Sequence, residues 1–141
     1  MRKIILLVED SDDDVELTRR AFAKHRLAND IVIASDGQQA LDILFGEKAL
    51  TPQVVLLDLN LPKLSGLDVL RRIRADPRTV LLPVVVLTSS DHDRDVIESY
   101  RLGANSFVRK PVDFLEFVEA ARQLGLYWLV LNEPFNRRQD V

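Results

Sequence analysis

The chain has no cysteine. That excludes disulfides, thiolate metal sites and cysteine nucleophiles, and it suits a reducing compartment. It also lacks any basic excess: 19 Lys and Arg against 22 Asp and Glu leave a net charge of -3. This balance argues against nucleic-acid binding, which needs a basic face for phosphate contacts. Arg71, Arg72, Arg74, Arg137 and Arg138 read as solvated surface charge. No apolar run approaches the ~18 residues of a membrane span, and the one after "MRK" is too short for a signal-peptide core. Repeats, low-complexity tracts and linkers are missing too. What is present is a 141-residue chain with 47% hydrophobic composition, enough for one compact cytoplasmic domain with a proper core.

Short apolar runs rich in β-branched residues alternate with amphipathic segments. The predicted strands are "KIILLV" (3–8), "DIVIA" (30–34), "QVVLLD" (53–58), "LPVVVLT" (82–88) and "SFVRK" (106–110). The central runs are apolar throughout rather than alternating, as expected for strands covered on both faces. Between them lie helical patterns. Val15, Thr18 and Phe22 share one face of the first, and Ala40, Leu41, Ile43 and Leu44 point inward from the second, which ends near Gly46. Leu67, Leu70 and Ile73 bury the third, with Pro77 just beyond it, and the fourth ends near Gly103. A last helix begins near Asp113 and Glu116, which have capping-box spacing. Five β-then-α units predict a doubly wound α/β domain: a five-stranded parallel sheet with helices on both faces.

In such sheets the site lies beyond the carboxyl ends of the strands, at the topological switch point. The first strand ends in Glu9 and Asp10, the third in Asp58, the fourth in Thr88 and Ser89, and the fifth in Lys110. Three close carboxylates resist joint ionisation unless cations compensate them. Lys110 supplies one positive charge, and a hard dication such as Mg²⁺ supplies the rest. A carboxylate beside Mg²⁺ and a lysine is suited to accept a phosphoryl group, with a threonine hydroxyl donating to it. Singly these residues say little. Asp12, Asp13 and Asp14 read as acids favouring a helix N-terminus, and His25 and His92 as surface residues. A lone Phe107 reads as core.

The combination "VED", "LLDLNLP…SG", "VVVLTSS" and "GANSFVRKP" resembles the receiver domain of bacterial two-component response regulators, over about residues 3 to 124. The resemblance implies a flavodoxin-like fold with strand order 2-1-3-4-5 and Asp58 as the phosphoacceptor. It implies Mg²⁺ bound by Glu9, Asp10, Asp58 and the backbone carbonyl of Asn60. Thr88 and Lys110 are then the phosphoryl-binding pair, Thr88 and Phe107 the switch residues, and Lys110–Pro111 a cis peptide. Phe107 stands where many receivers have Tyr, so only packing, not a phenol hydroxyl, carries its signal. Asn60 and Ser90 border the expected path of attacking water.

Two rival readings differ in kind. A phosphohydrolase of the haloacid-dehalogenase type needs an acid two residues after its nucleophile, where this chain has Asn60, and the length leaves no cap domain. A degenerate receiver that only binds partners is disfavoured because every key residue type is present. The domain boundaries expected are 1–124 for the receiver and 125–141 for a C-terminal extension, with no DNA-binding output domain. In the extension, "LGLYWLVLNEPF" holds a contiguous apolar run that cannot all face one core. The alternative is a last helix folded back over its own domain; the preferred reading is an extended last helix and a two-fold homodimer through Leu126, Tyr127, Trp128, Leu131 and Phe135. The same motif is similar to single-domain response regulators that partner bacterial phytochromes. That implies a light-regulated histidine kinase as phosphodonor, an unassigned downstream protein, and no catalysis beyond self-phosphorylation and dephosphorylation.

Overall fold

The structure is a computed structural model that describes residues 4–24, 30–88, 93–110 and 115. Five strands form one parallel sheet: β1 (Ile4–Val8), β2 (Asp30–Ala34), β3 (Val54–Asp58), β4 (Val84–Thr88) and β5 (Ser106–Arg109), in the order β2-β1-β3-β4-β5. The helices α1 (Asp12–Lys24), α2 (Gly37–Phe45), α3 (Gly66–Ala75) and α4 (Asp93–Arg101) alternate with them. Order and class are those expected, and each predicted strand lies within two residues of its observed bounds. Leu82 and Pro83 fall outside β4 because Pro83 has no N–H for a ladder. Among the described residues no helix is long and apolar enough to cross a membrane.

Alternation along each strand divides the core between two faces. Leu6, Val8, Val55, Leu57, Val84 and Val86 pack against Ala40, Leu41 and Leu44 of α2 and Val69, Leu70 and Ile73 of α3. Ile5, Leu7, Val54, Leu56, Val85, Leu87 and Val108 form the opposite face with Phe22 of α1. Burial on both faces explains the uninterrupted apolar strand sequences. On α3 the buried residues are Gly66, Val69, Leu70 and Ile73, with Leu67 only half-buried.

Caps fix where the helices begin. The Ser11 hydroxyl accepts the Asp14 N–H at 3.2 Å, Asp36 accepts that of Gln39 at 2.8 Å, and Ser65 accepts that of Asp68 at 3.2 Å. Gly103, at φ +99°, takes the left-handed turn after α4 that other residues avoid.

One arginine corrects the sequence reading. Arg74 is half-buried rather than solvated, and its guanidinium donates five hydrogen bonds. Nε and Nη2 reach the Gly103 carbonyl at 2.9 and 2.7 Å, and Nη2 also reaches Asn105 Oδ1 at 2.8 Å. Nη1 reaches the Val80 and Leu82 carbonyls at 3.1 and 2.7 Å. A planar, always-charged fork can satisfy this many acceptors at once, and it does so at the amino ends of β4 and β5.

Candidate functional site

The strand order reverses between β1 and β3, and the carboxyl ends of these strands bound one crevice. The ladder extends past both strands: Glu9 N–H donates to the Ala34 carbonyl at 2.9 Å and Leu59 N–H to Leu87 at 3.3 Å. The acids that follow are therefore held by the sheet itself. Carboxylate oxygens of Glu9, Asp10 and Asp58 lie within 4.8 Å of one another. Glu9 and Asp58 are buried and Asp10 is exposed.

Lys110 arrives from the end of β5 and occupies the centre of this group. Its ammonium donates to Glu9 Oε1 at 2.7 Å, Asp58 Oδ2 at 2.8 Å and Asp14 Oδ2 at 3.2 Å. The Glu9 and Asp58 side chains are each 1% exposed and that of Lys110 11%. The second oxygen of each buried acid takes a backbone donor. Ser11 N–H reaches Glu9 Oε2 at 3.2 Å, and Asn60 N–H reaches Asp58 Oδ1 at 2.9 Å.

The electrostatics follow from burial and like charge. Burial, a hydrogen bond to Asp58 and repulsion from its charge push Glu9 up to about 7, against the opposing effect of Lys110. Burial disfavours the Lys110 ammonium, but its bonds to Asp58 and Glu9 outweigh that and raise its pKa. The cluster is thus short of positive charge. A set of hard carboxylate oxygens with one ammonium fits a small oxygen-liking dication.

Close approach of backbone shapes the Asp58 side of the crevice. A Cβ on Gly66 would collide with the Asp58 carbonyl oxygen and lie 2.7 Å from Leu59 Cα. Lys63, in the loop between them, adopts φ 64°. Phe107 is half-buried in the core layer that includes α3, and meets Tyr100 edge to face, with ring centroids 6.3 Å apart.

The structure therefore brings together Glu9, Asp10, Asp58 and Lys110. The backbone of Thr88 lies at the end of β4 beside Arg109. Pro111, Ser89, Ser90, His25, His92, the last-helix start at Asp113 and Glu116, and the whole 125–141 extension lie outside the described residues. Asp14 is the participant the sequence reading missed. The available signal was its place three residues after a capping serine, near acids destined for the site.

A parallel sheet in this order, with acids gathered at its switch point, defines a doubly wound α/β protein of flavodoxin-like fold. More narrowly, the chain belongs to the response regulator receiver domain family, whose profile matches residues 5–122. Its fold is similar to that of the bacteriophytochrome response regulator AtBRR, with 46% identity, TM-score 0.83, and coverage of 94% of this chain and 99% of that one. Response regulator Rcp1 of Synechocystis sp. is 36% identical over 131 residues, 90% of this chain and 89% of that protein. The Mn²⁺-bound structure of Rcp1 has a TM-score of 0.74 at 34% identity, covering 95% of this chain and 99% of its own. The phosphorylated cyanobacterial phytochrome response regulator RcpA gives 0.76 at 34% identity, covering 92% and 95%. Receiver domains of this family bind Mg²⁺, and the acid cluster here has the donors for it.

Proposed function

We propose that this chain is a single-domain response regulator in which Asp58 accepts a phosphoryl group from a sensor histidine kinase. The observation that carries the reading is the pairing of Asp58 with Lys110 at 2.8 Å inside an acid cluster suited to Mg²⁺. An ionised Asp58 attacks phosphorus without a general base. The new O–P bond forms as the bond to the donor breaks, and the leaving group departs with the bonding pair. Lys110 is placed to bind a phosphoryl oxygen, and Asn60 N–H steadies the attacking carboxylate.

Glu9, Asp10, Asp58 and the backbone carbonyl of Asn60 would hold Mg²⁺, which supplies positive charge against the phosphoryl oxygens. Thr88 then draws toward the phosphoryl and Phe107 repacks against its neighbours, a population shift at the β4–β5 face. The likeness to AtBRR and RcpA supports a bacteriophytochrome as the kinase, and in this reading the protein acts in the cytoplasm. Residues 125–141 form the dimer contact in this reading, through Leu126, Tyr127, Trp128, Leu131 and Phe135.

Intact-mass analysis with acetyl phosphate tests the chemistry. One Mg²⁺-dependent phosphoryl on the wild type, absent from Asp58→Asn, is expected. An unconsumed donor with no adduct would instead identify a binding module, and rapid donor turnover without adduct a phosphohydrolase. Light scattering of wild type and Trp128→Ala over a concentration series tests the dimer, which a monomer throughout the micromolar range would exclude.

A further inference from the structure

We infer that Asp14 is a positioning residue that tethers the Lys110 ammonium during phosphoryl transfer, an inference that rests on Asp58 being the phosphoacceptor. An ammonium has three N–H donors, and here three carboxylates from three elements take them. Glu9 follows β1, Asp58 ends β3, and Asp14 lies in the first turn of α1.

Local geometry frees Asp14 for this contact. Its N–H is fixed by the Ser11 hydroxyl at 3.2 Å, and its carbonyl accepts the Thr18 hydroxyl at 2.9 Å. An acid three residues after a capping serine ordinarily turns back to the N–H of the cap. Glu9 Oε2 already takes that N–H, at 3.2 Å. The Asp14 carboxylate is left to reach Lys110, so one exchange of partners ties the start of α1 to the end of β5.

The other two acceptors are committed to the reaction. When Asp58 bonds to phosphorus, Lys110 must redirect that N–H to a phosphoryl oxygen. Glu9 is a candidate metal ligand. Asp14 alone among the three belongs to neither set, and so holds the ammonium while its other partners change. Its side chain is 33% exposed, which moderates the effect.

The test compares Asp14→Ala with Asp14→Asn, which keeps a carbonyl acceptor of the same shape. The rate of adduct formation is measured at saturating acetyl phosphate and Mg²⁺. A lost hydrogen bond to a charged, partly exposed group predicts a fall of about three- to tenfold for Asp14→Ala. The donor KM should hardly change, and Asp14→Asn should recover at least half of the wild-type rate. The lysine side-chain ¹H–¹⁵N spectrum supplies a second readout. The Lys110 ammonium signal, assigned by its loss in Lys110→Ala, should exchange faster in Asp14→Ala than in Asp14→Asn. An unchanged or faster Asp14→Ala, or equal losses in both variants, would overturn the tether. A wild type that forms no adduct would sink the phosphoacceptor reading instead, while the lysine spectrum still decides whether Asp14 holds the ammonium.

Discussion

Substituting Glu9 by Gln isolates the repulsion built into the acid cluster. In metal-free protein Glu9 is pushed up to about 7 from an ordinary 4.5, by burial first and by Asp58 next. Because the folded value is the higher one, the folded state binds this proton more tightly than the unfolded chain. The stability gained is complete below about pH 4.5 and is lost as pH rises through about 7. At about 1.36 kcal/mol per pH unit, the interval between 4.5 and about 7 amounts to about 3 kcal/mol. Gln removes the charge and keeps one oxygen to accept from Lys110, but its NH2 group cannot accept the Ser11 N–H that Glu9 Oε2 takes, a loss that does not vary with pH. Urea unfolding in a chelator should therefore find that Glu9→Gln gains stability relative to wild type between pH 4.5 and pH 8, by up to about 3 kcal/mol. Mg²⁺ should narrow the gap by compensating Glu9, Asp10 and Asp58 together. A difference between the two proteins that does not change with pH would refute this account of the cluster.

Gly66→Ala should cost about 1–3 kcal/mol in urea unfolding and slow phosphorylation, since its Cβ displaces the Asp58 carbonyl. Arg74→Met should lower stability by about 3 kcal/mol, seen as a lower urea midpoint, because it strips donors from three carbonyls and Asn105. Lys63→Gly should raise the melting temperature slightly. It relieves roughly 1–2 kcal/mol of left-handed backbone strain at φ 64° and gives back roughly 0.5–1 kcal/mol in unfolded-chain entropy.

Legibility in the sequence tracked the range of the interactions. The strands of a doubly covered sheet need apolar residues on both sides, so "IILLV", "VVLLD" and "VVVLT" declared themselves from composition alone. Glu9, Asp10, Asp58 and Lys110 followed because parallel strands deliver their last residues to one edge. Asp14 did not, since an acid in a first helical turn has a sufficient local explanation, and its contact with Lys110 spans 96 residues. Arg74 was misread for a related reason. Its partners are backbone carbonyls, which leave no mark on side-chain pattern. Leu67 is only half-buried because, at about 100° per residue, it lies about 60° beyond Leu70 on the side of α3 away from Val69 and Ile73.

The Arg74 hydrogen bonds lie at the end of the sheet opposite the acid cluster, joining α3 to the turns that precede β4 and β5. Asn105 extends the same junction by accepting the first N–H of β4, at 2.8 Å. Mechanically this is a clamped base. Any rearrangement of β4, α4 and β5 that starts at their far ends has to swing about it like a cantilever, with displacement growing toward Thr88 and Lys110. Stiffness at one end thus gives direction to motion at the other, and in the proposed switch a residue far from the phosphoryl would set the arc of the movement.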